Sequence, residues 1–350
     1  MSDFLARGGS VPDDAPSGDV AVRSAGLLAR NLEGQPFAWR ADEATRARAA
    51  SLVESAWSRS DGAEASPLSL LDAGLRRVLA ERDAISDSYS HDPGGWIGWR
   101  AAQGAWITSN ETDHVRVRCE LPGLDPEGVL ATLEELEGEL SASLRWSFDR
   151  RYGFLGPDPA GIGHGLVLSV SLHLPALAMT LAVEREFHEA LAAGMEIIGQ
   201  SPEAGTSTAS VWTVAYRCPP EITTSTAAGR LRGICDKLAG AERTARKQLG
   251  KRDRLGLEDA VSRAFGLSRY ARTMRAEEAM EAASFLRLGD ELGLVSGMGP
   301  GRFANALRGL TDSGLSLSGI APDRSEARRR ALAFAAALEG VSLAQEWHGV

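Results

Sequence analysis

Cysteine is scarce in this 350-residue chain: only Cys119, Cys218 and Cys235 are present, and no Cys-x-x-Cys occurs. Three thiols cannot all pair, which argues against a disulfide framework and against a structural zinc site. Aromatic residues make up 6% of the chain, and no apolar run nears the roughly 20 residues that span a bilayer. The N-terminus lacks a basic-then-apolar signal segment, so the expected location is the cytoplasm. Basic residues are outnumbered 38 to 47, giving a formal charge of −9, which argues against a nucleic-acid or anionic-membrane surface. What is present is a globular composition, with 43% hydrophobic and 24% charged residues.

Residues 1–19 are rich in Gly, Ser, Asp and Pro and read as a loose leader. Helical spacing runs from Glu43 to Trp57 and from Ser69 to Ala84, and the stretch from Asp87 to Gly98 reads as a loop. The period then shifts. Ala105–Thr108 and the alternating His114–Cys119 predict two antiparallel strands, and Asp125 caps a helix reaching about Leu144. Further strands are expected at Leu166–Leu172, Glu196–Ile198 and Ala209–Val214. Helices are expected from Pro175 to about Ala193 and from Thr223 to about Gly250. Beyond Gly256 the pattern is helical, broken at 297–301 and 312–322. The expected fold is α+β: an antiparallel sheet flanked by helices over 20–253, then an all-helical domain over 256–350.

Several groups could carry chemistry. The glycine-rich run Gly156 to Gly165 contains two prolines and no lysine, so it reads as a structured loop in preference to a phosphate cradle. Glu111, Asp113 and His114 could form a base and its orienter, but adjacent strand residues point to opposite faces, which favours a hydrogen-bonded turn. The histidines have no metal-ligand spacing. Arg324 and Arg328 stand four apart after Pro322 and Asp323, a helix start, so they would share one face able to grip a phosphate or carboxylate.

In order along the chain, Leu28-Ala29-Arg30-Asn31-Leu32, Asn110-Glu111-Thr112-Asp113-His114-Val115-Arg116, Arg151-Tyr152-Gly153-Phe154-Leu155 and His173-Leu174-Pro175-Ala176-Leu177 resemble the landmarks of one family. It is the bacterial protein-arginine kinases, members of the ATP:guanido phosphotransferases. Glu258-Asp259, Arg263, Gly266, Ala271-Arg272, Glu278-Ala279 and Leu286–Gly289 extend the likeness through the tail. The resemblance covers roughly Asp19 to Ala331. It implies a guanido-kinase catalytic fold in which an arginine side chain attacks the γ-phosphoryl of ATP, a reaction governed by positioning and by cations.

Carried over residue by residue, the family's phosphate-gripping arginines fall on Ala25, Leu27, Val167 and Ile198, and only Arg116 persists. The substrate-orienting base falls on Thr112, beside a retained Glu111, and the reactive cysteine falls on Asp158. Four lost charged grips remove on the order of 6–12 kcal/mol of complementarity. The resemblance also implies a C-terminal dimerisation domain with a phosphoarginine-binding motif, which here reads Arg324-Ser325-Glu326-Ala327-Arg328-Arg329.

The resulting expectation is a catalytically inactive pseudokinase without a cofactor. It would be a homodimer acting in protein quality control by binding phosphoarginine-bearing proteins, a cognate kinase or an unfoldase-protease. One alternative is an active kinase using ATP and Mg²⁺, with Glu111 as base, Arg116 on phosphate and Asp158 on the metal. The other is a purely structural dimer.

Overall fold

The computed structural model describes residue 4 and residues 11–199, 208–321 and 325–344. Its central feature is an eight-stranded, wholly antiparallel sheet in the order β2-β3-β4-β5-β1-β8-β10-β9. The strands are β1 (Ala21–Arg30), β2 (Glu64–Pro67), β3 (Trp96–Arg100), β4 (Ala105–Ser109), β5 (Val115–Pro122), β8 (Leu166–His173), β9 (Glu196–Gly199) and β10 (Val211–Arg217). Two short strands, β6 (Phe148–Asp149) and β7 (Gly153–Phe154), form a separate hairpin.

Because side chains alternate across a strand, the sheet has two distinct faces. The inner face, carrying Leu28, Val117, Cys119, Leu168 and Val170, is buried under helices α4 (Pro126–Ser141) and α7 (Thr224–Arg252). Helix α4 starts where Asp125 accepts the Gly128 amide at 3.0 Å and Pro126 presets the first turn. It buries Val129, Leu133, Leu136 and Leu140, a helical stripe facing the sheet. Gly26 lets it approach closely, since a Cβ there would lie 2.6 Å from Val129.

The outer face is divided. Over β3 and β4, Ile97, Trp99 and Trp106 pack under α2 (Ala73–Glu81) and α3 (Asp87–Ser90) in a second small core with Leu75, Leu79 and Tyr89. Over β5, β1, β8 and β10 most outer residues are polar, charged or half-buried, with Val211 and Ala215 of β10 buried.

The remaining body helices are α1 (Glu43–Trp57), α5 (Pro175–Met179) and α6 (Val183–Ala192). After α7 the chain is helical: α8 (Arg254–Tyr270), α9 (Ala276–Glu291), α10 (Pro300–Gly309), α11 (Asp312–Ser316) and α12 (Glu326–Ala337). A small pair, β11 (Val295–Ser296) with β12 (Ser342–Leu343), closes this region. The helical region is bolted to the sheet through buried charges. Arg246 on α7 reaches Glu242 at 2.7 Å and Glu291 at 3.9 Å, and Arg287 on α9 donates to the Gly18 carbonyl at 3.3 Å. His173 at the end of β8 contacts the Ser284 hydroxyl at 2.8 Å and lies against the Phe303 ring.

The expected α+β architecture, an antiparallel sheet followed by a helical C-terminal region, is the one observed, although that region is not all-helical, because β11 pairs with β12. Three local expectations are corrected. Asp87–Gly98 is not one loop, because it contains α3 and most of β3. The helix from Pro175 breaks at Leu181, whose φ is 55°, leaving α5 and α6. Residues 11–19 of the expected leader are packed, with the Leu124 amide on the Pro16 carbonyl at 2.7 Å and Asp19 paired to Arg243. Gly301 admits this segment, since a Cβ there would lie 2.4 Å from the Val11 carbonyl. Most of residues 1–10 lie outside the described residues.

Candidate functional site

Strand register assembles the site. Leu27 on β1 stands between Arg118 on β5 and Val167 on β8, and Ala25 stands between Glu120 and Ser169. Ile198 joins the same face through the row Ile198–Thr213–Ser171–Arg23. All four positions where the family pattern has arginine therefore share the outer face of the sheet. Ala25, Leu27 and Val167 are half-buried and Ile198 is 50% exposed, so these apolar side chains line that face without filling it.

Arg116 projects from the same face, next to Ala29. It does not stand alone. Glu111, in the turn between β4 and β5, is drawn inward until its side chain is 1% exposed. It accepts from Arg116 at 3.1 Å, from Arg118 at 3.1 and 3.2 Å, from the Thr108 hydroxyl at 2.9 Å and from the Ser86 amide at 2.8 Å. A carboxylate offers about four lone-pair sites, so this one is saturated. Burial by itself would raise its pKa; Arg118 and then Arg116 outweigh burial and hold it at about 2. Such a group accepts a proton poorly, which is what a general base must do.

The depressed value has a stability consequence. Glu111 binds a proton less readily folded than unfolded, so its contribution is present above pH about 4.5 and lost as pH falls toward about 2. At most about 3 kcal/mol is involved. Urea midpoints measured between pH 5 and pH 2 should fall more steeply for the wild type than for Glu111→Gln, and parallel curves would exclude this role.

Thr112 is exposed at the turn, and Asp113 and His114 turn inward. Asn31 donates to Asp113 at 2.8 Å and to the Leu155 carbonyl at 3.1 Å, and its oxygen accepts the His114 amide at 3.1 Å. His114 Nδ1 accepts the Leu32 amide at 3.2 Å, leaving Nε2 as donor to the Pro36 carbonyl at 3.0 Å. Burial raises the Asp113 carboxyl and lowers the His114 imidazole. This is the hydrogen-bonded turn anticipated from sequence, and it also anchors the Gly156–Gly165 loop.

Arg30 is a strut for the same loop. It pairs with Glu137, donates to the Ala29 and His164 carbonyls at 2.8 Å, and lies 3.5 Å over the Phe154 ring. Asp158 sits exposed on the loop, beside a single 3-10 turn over Pro159–Gly161. Among the described residues, no group of His, Cys, Asp and Glu could hold a metal ion.

In the helical region, α12 begins at Glu326 with Arg328 exposed on its first turn, and Arg324 lies outside the described residues. The neighbouring arginines have structural partners: Arg329 caps the Leu315 carbonyl at 2.5 Å, and Arg330, buried, donates to the Leu310 and Met274 carbonyls.

Sequence reasoning missed Arg118, Glu120, Arg23 and Arg308. Glu120 is paired to Arg23 on β1 and to Arg308 on α10, each at 2.7 Å. The signal was available in Arg116-Val117-Arg118-Cys119-Glu120, where strand alternation places the three charged residues on one face.

Residues 46–217 match the ATP:guanido phosphotransferase C-terminal catalytic domain, and residues 254–308 match the protein-arginine kinase McsB C-terminal domain. The protein-arginine kinase of Desulforamulus reducens is 32% identical over 293 residues, covering 82% of each chain. That of Halalkalibacterium halodurans is 29% identical over 329 residues, covering 91% of this chain and 92% of the other. Among solved structures, the duplicated taurocyamine kinase from Schistosoma mansoni with bound transition state analog components superposes with a TM-score of 0.59 at 20% identity. That match covers 75% of this chain and 39% of the longer one. Lombricine kinase gives a TM-score of 0.54 at 16% identity, covering 67% of this chain and 69% of the other. These two establish the fold. The length and identity of the first match carry the family assignment: the chain belongs to the bacterial protein-arginine kinases of the ATP:guanido phosphotransferase family.

Proposed function

We propose that this chain keeps the guanido-kinase scaffold without phosphoryl transfer and acts by binding. One observation carries the reading: the outer face has an apolar residue at each of positions 25, 27, 167 and 198, and Glu111, the carboxylate beside the lost base position 112, is consumed by Arg116 and Arg118. Transfer requires cations aimed at the phosphoryl oxygens and a base within reach of the guanidinium. In this arrangement the four cation positions of the family pattern are apolar, and Glu111 is already paired. With apolar side chains at those four positions and no acidic cluster for a metal among the described residues, the site does not fit a Mg²⁺-triphosphate. Arg328, exposed at the start of α12, together with Arg324, would contact phosphoarginine on a target protein. The outward residues Leu255 and Tyr270 of α8, 79% and 81% exposed, would pack a second copy. A cognate kinase or an unfoldase-protease is the partner expected from the family resemblance. Among the described residues no helix is long and apolar enough to cross a membrane, and a cytoplasmic setting accords with the reduced thiols.

A second reading is favoured by the relatives, which are protein-arginine kinases. In it the enzyme is active, Arg116 grips phosphate, Glu111 is the base and Asp158 holds the metal. One experiment separates the two. With γ-labelled ATP, Mg²⁺ and an arginine-rich protein, label transfer should stay at background, since a lost base alone costs about 10²–10⁴ in rate. Robust labelling abolished by Arg116→Ala would establish the active enzyme instead.

A further inference from the structure

The bridge through Glu120 joins three separated parts of the chain. Glu120 Oε2 meets Arg23 on β1, and Oε1 meets Arg308 on α10 of the helical region, each at 2.7 Å. Arg82, just past α2, adds its charge to the same carboxyl. The strand positions are rigid. The Glu120 amide is bonded to the Gly104 carbonyl at 2.8 Å, and Gly104 sits at φ 60° with room for no Cβ against the Glu120 carbonyl. Guanidinium groups from different elements thus converge on one point of the outer face, in the row that carries Ala25 and next to the row of Leu27. A guanidinium fork suits phosphate oxygens as well as carboxylate oxygens.

Accessibility is uneven across the bridge. The Arg23 and Arg308 side chains keep 22% and 18% of their surface exposed, whereas Glu120 keeps 8%. Both arginine side chains are therefore more open to solvent than the carboxylate between them. Burial alone would raise the Glu120 carboxyl; Arg23, Arg308 and Arg82 together bring it to about 2, so it stays an anion at any physiological pH.

We propose that Arg23 and Arg308 form a phosphate-type anion site in which Glu120 is the resident competitor, so that a phosphate dianion displaces it and loosens the helical region from the sheet. The site shares only its location with the reading above, and it uses none of the positions where that reading finds arginine missing. Occupancy is coupled to domain attachment because Arg308 is held by the same carboxylate the anion must replace. Free phosphate and a phosphorylated side chain share this chemistry.

The test uses the full chain with inorganic pyrophosphate as probe. By isothermal titration, Glu120→Gln should bind pyrophosphate about tenfold or more tighter than wild type, and Arg308→Ala should lose the binding. In hydrogen exchange at matched ionic strength, pyrophosphate but not chloride should speed exchange of wild-type amides in residues 300–316. A phosphoserine peptide titrated in parallel identifies the source, since tighter binding than pyrophosphate assigns a phosphorylated protein and weaker binding assigns the free anion. Equal affinities in wild type and Glu120→Gln overturn the proposal. Should Glu120→Gln not fold, the wild-type exchange decides, and unchanged or slower exchange with pyrophosphate overturns it. Neither arm depends on whether phosphoryl transfer survives.

Discussion

Arg246→Ala should destabilise the protein by about 3–5 kcal/mol in urea unfolding, the largest loss expected from a single substitution at the junction of sheet and helical region. The reason lies with its partner. Glu242 is fully buried and accepts the Ala176 and Leu177 amides at 3.1 and 3.0 Å, so it orients the first turn of α5. Arg246, at 2.7 Å, is the cation that balances it. Arg246 also donates to the Asp19 carbonyl at 3.0 Å, tying the segment before β1 into the same cluster. Removing the arginine leaves a buried carboxylate without its counter-charge, which costs far more than the pair itself contributes. Glu242→Gln/Arg246→Met keeps an acceptor for the amides and removes both charges, and it should recover more than half of the loss. A cost under about 1 kcal/mol for Arg246→Ala would show that the site relaxes or hydrates, and the account of the junction would fail.

Leu27→Arg/Val167→Arg should raise affinity for ATP-Mg²⁺ by about 10²–10⁴, since a hydrogen bond to a charged group contributes about 1.5–3 kcal/mol. The two positions are register partners on β1 and β8, so both new guanidinium groups would enter the outer face side by side. Leu27 is also paired with Arg118, which places like charges on adjacent strands. The variant should accordingly melt lower than wild type in chloride and regain the difference when ATP is added. On the proposed binding role, phosphoryl transfer by the variant should stay at background, because Thr112 supplies no base and Glu111 remains bound to Arg116 and Arg118. A folded variant with unchanged affinity would mean that missing cations are not what separates this face from a nucleotide site.

Parts of the fold were legible because local pattern and final structure agree. Glu43–Trp57 reads as a helix and is α1, and Thr223 caps α7 as its sequence suggests. Strand β8 was legible from its apolar run bounded by glycine and proline. Strand β1 was not. Ala21–Arg30 is rich in Ala and Leu, and its inward positions include Ser24 and Gly26, so no apolar alternation marks it. Strand β3, Trp-Ile-Gly-Trp-Arg, is buried on both faces under separate cores, which erases alternation and left it hidden behind Pro93-Gly94-Gly95.

The site divides in the same way. Sequence alone determined which side chains stand at positions 25, 27, 112, 158, 167 and 198, because the order of the surrounding motifs fixes their place without reference to any contact. Only the tertiary structure decided that positions 25, 27, 167 and 198 share one face, that Glu111 is spent on Arg116 and Arg118, and that Arg308 closes on Glu120 from the helical region. The physical reason is register. Pairing between strands far apart in sequence sets which face a side chain occupies, and a slip of one residue would send every one of them to the other side.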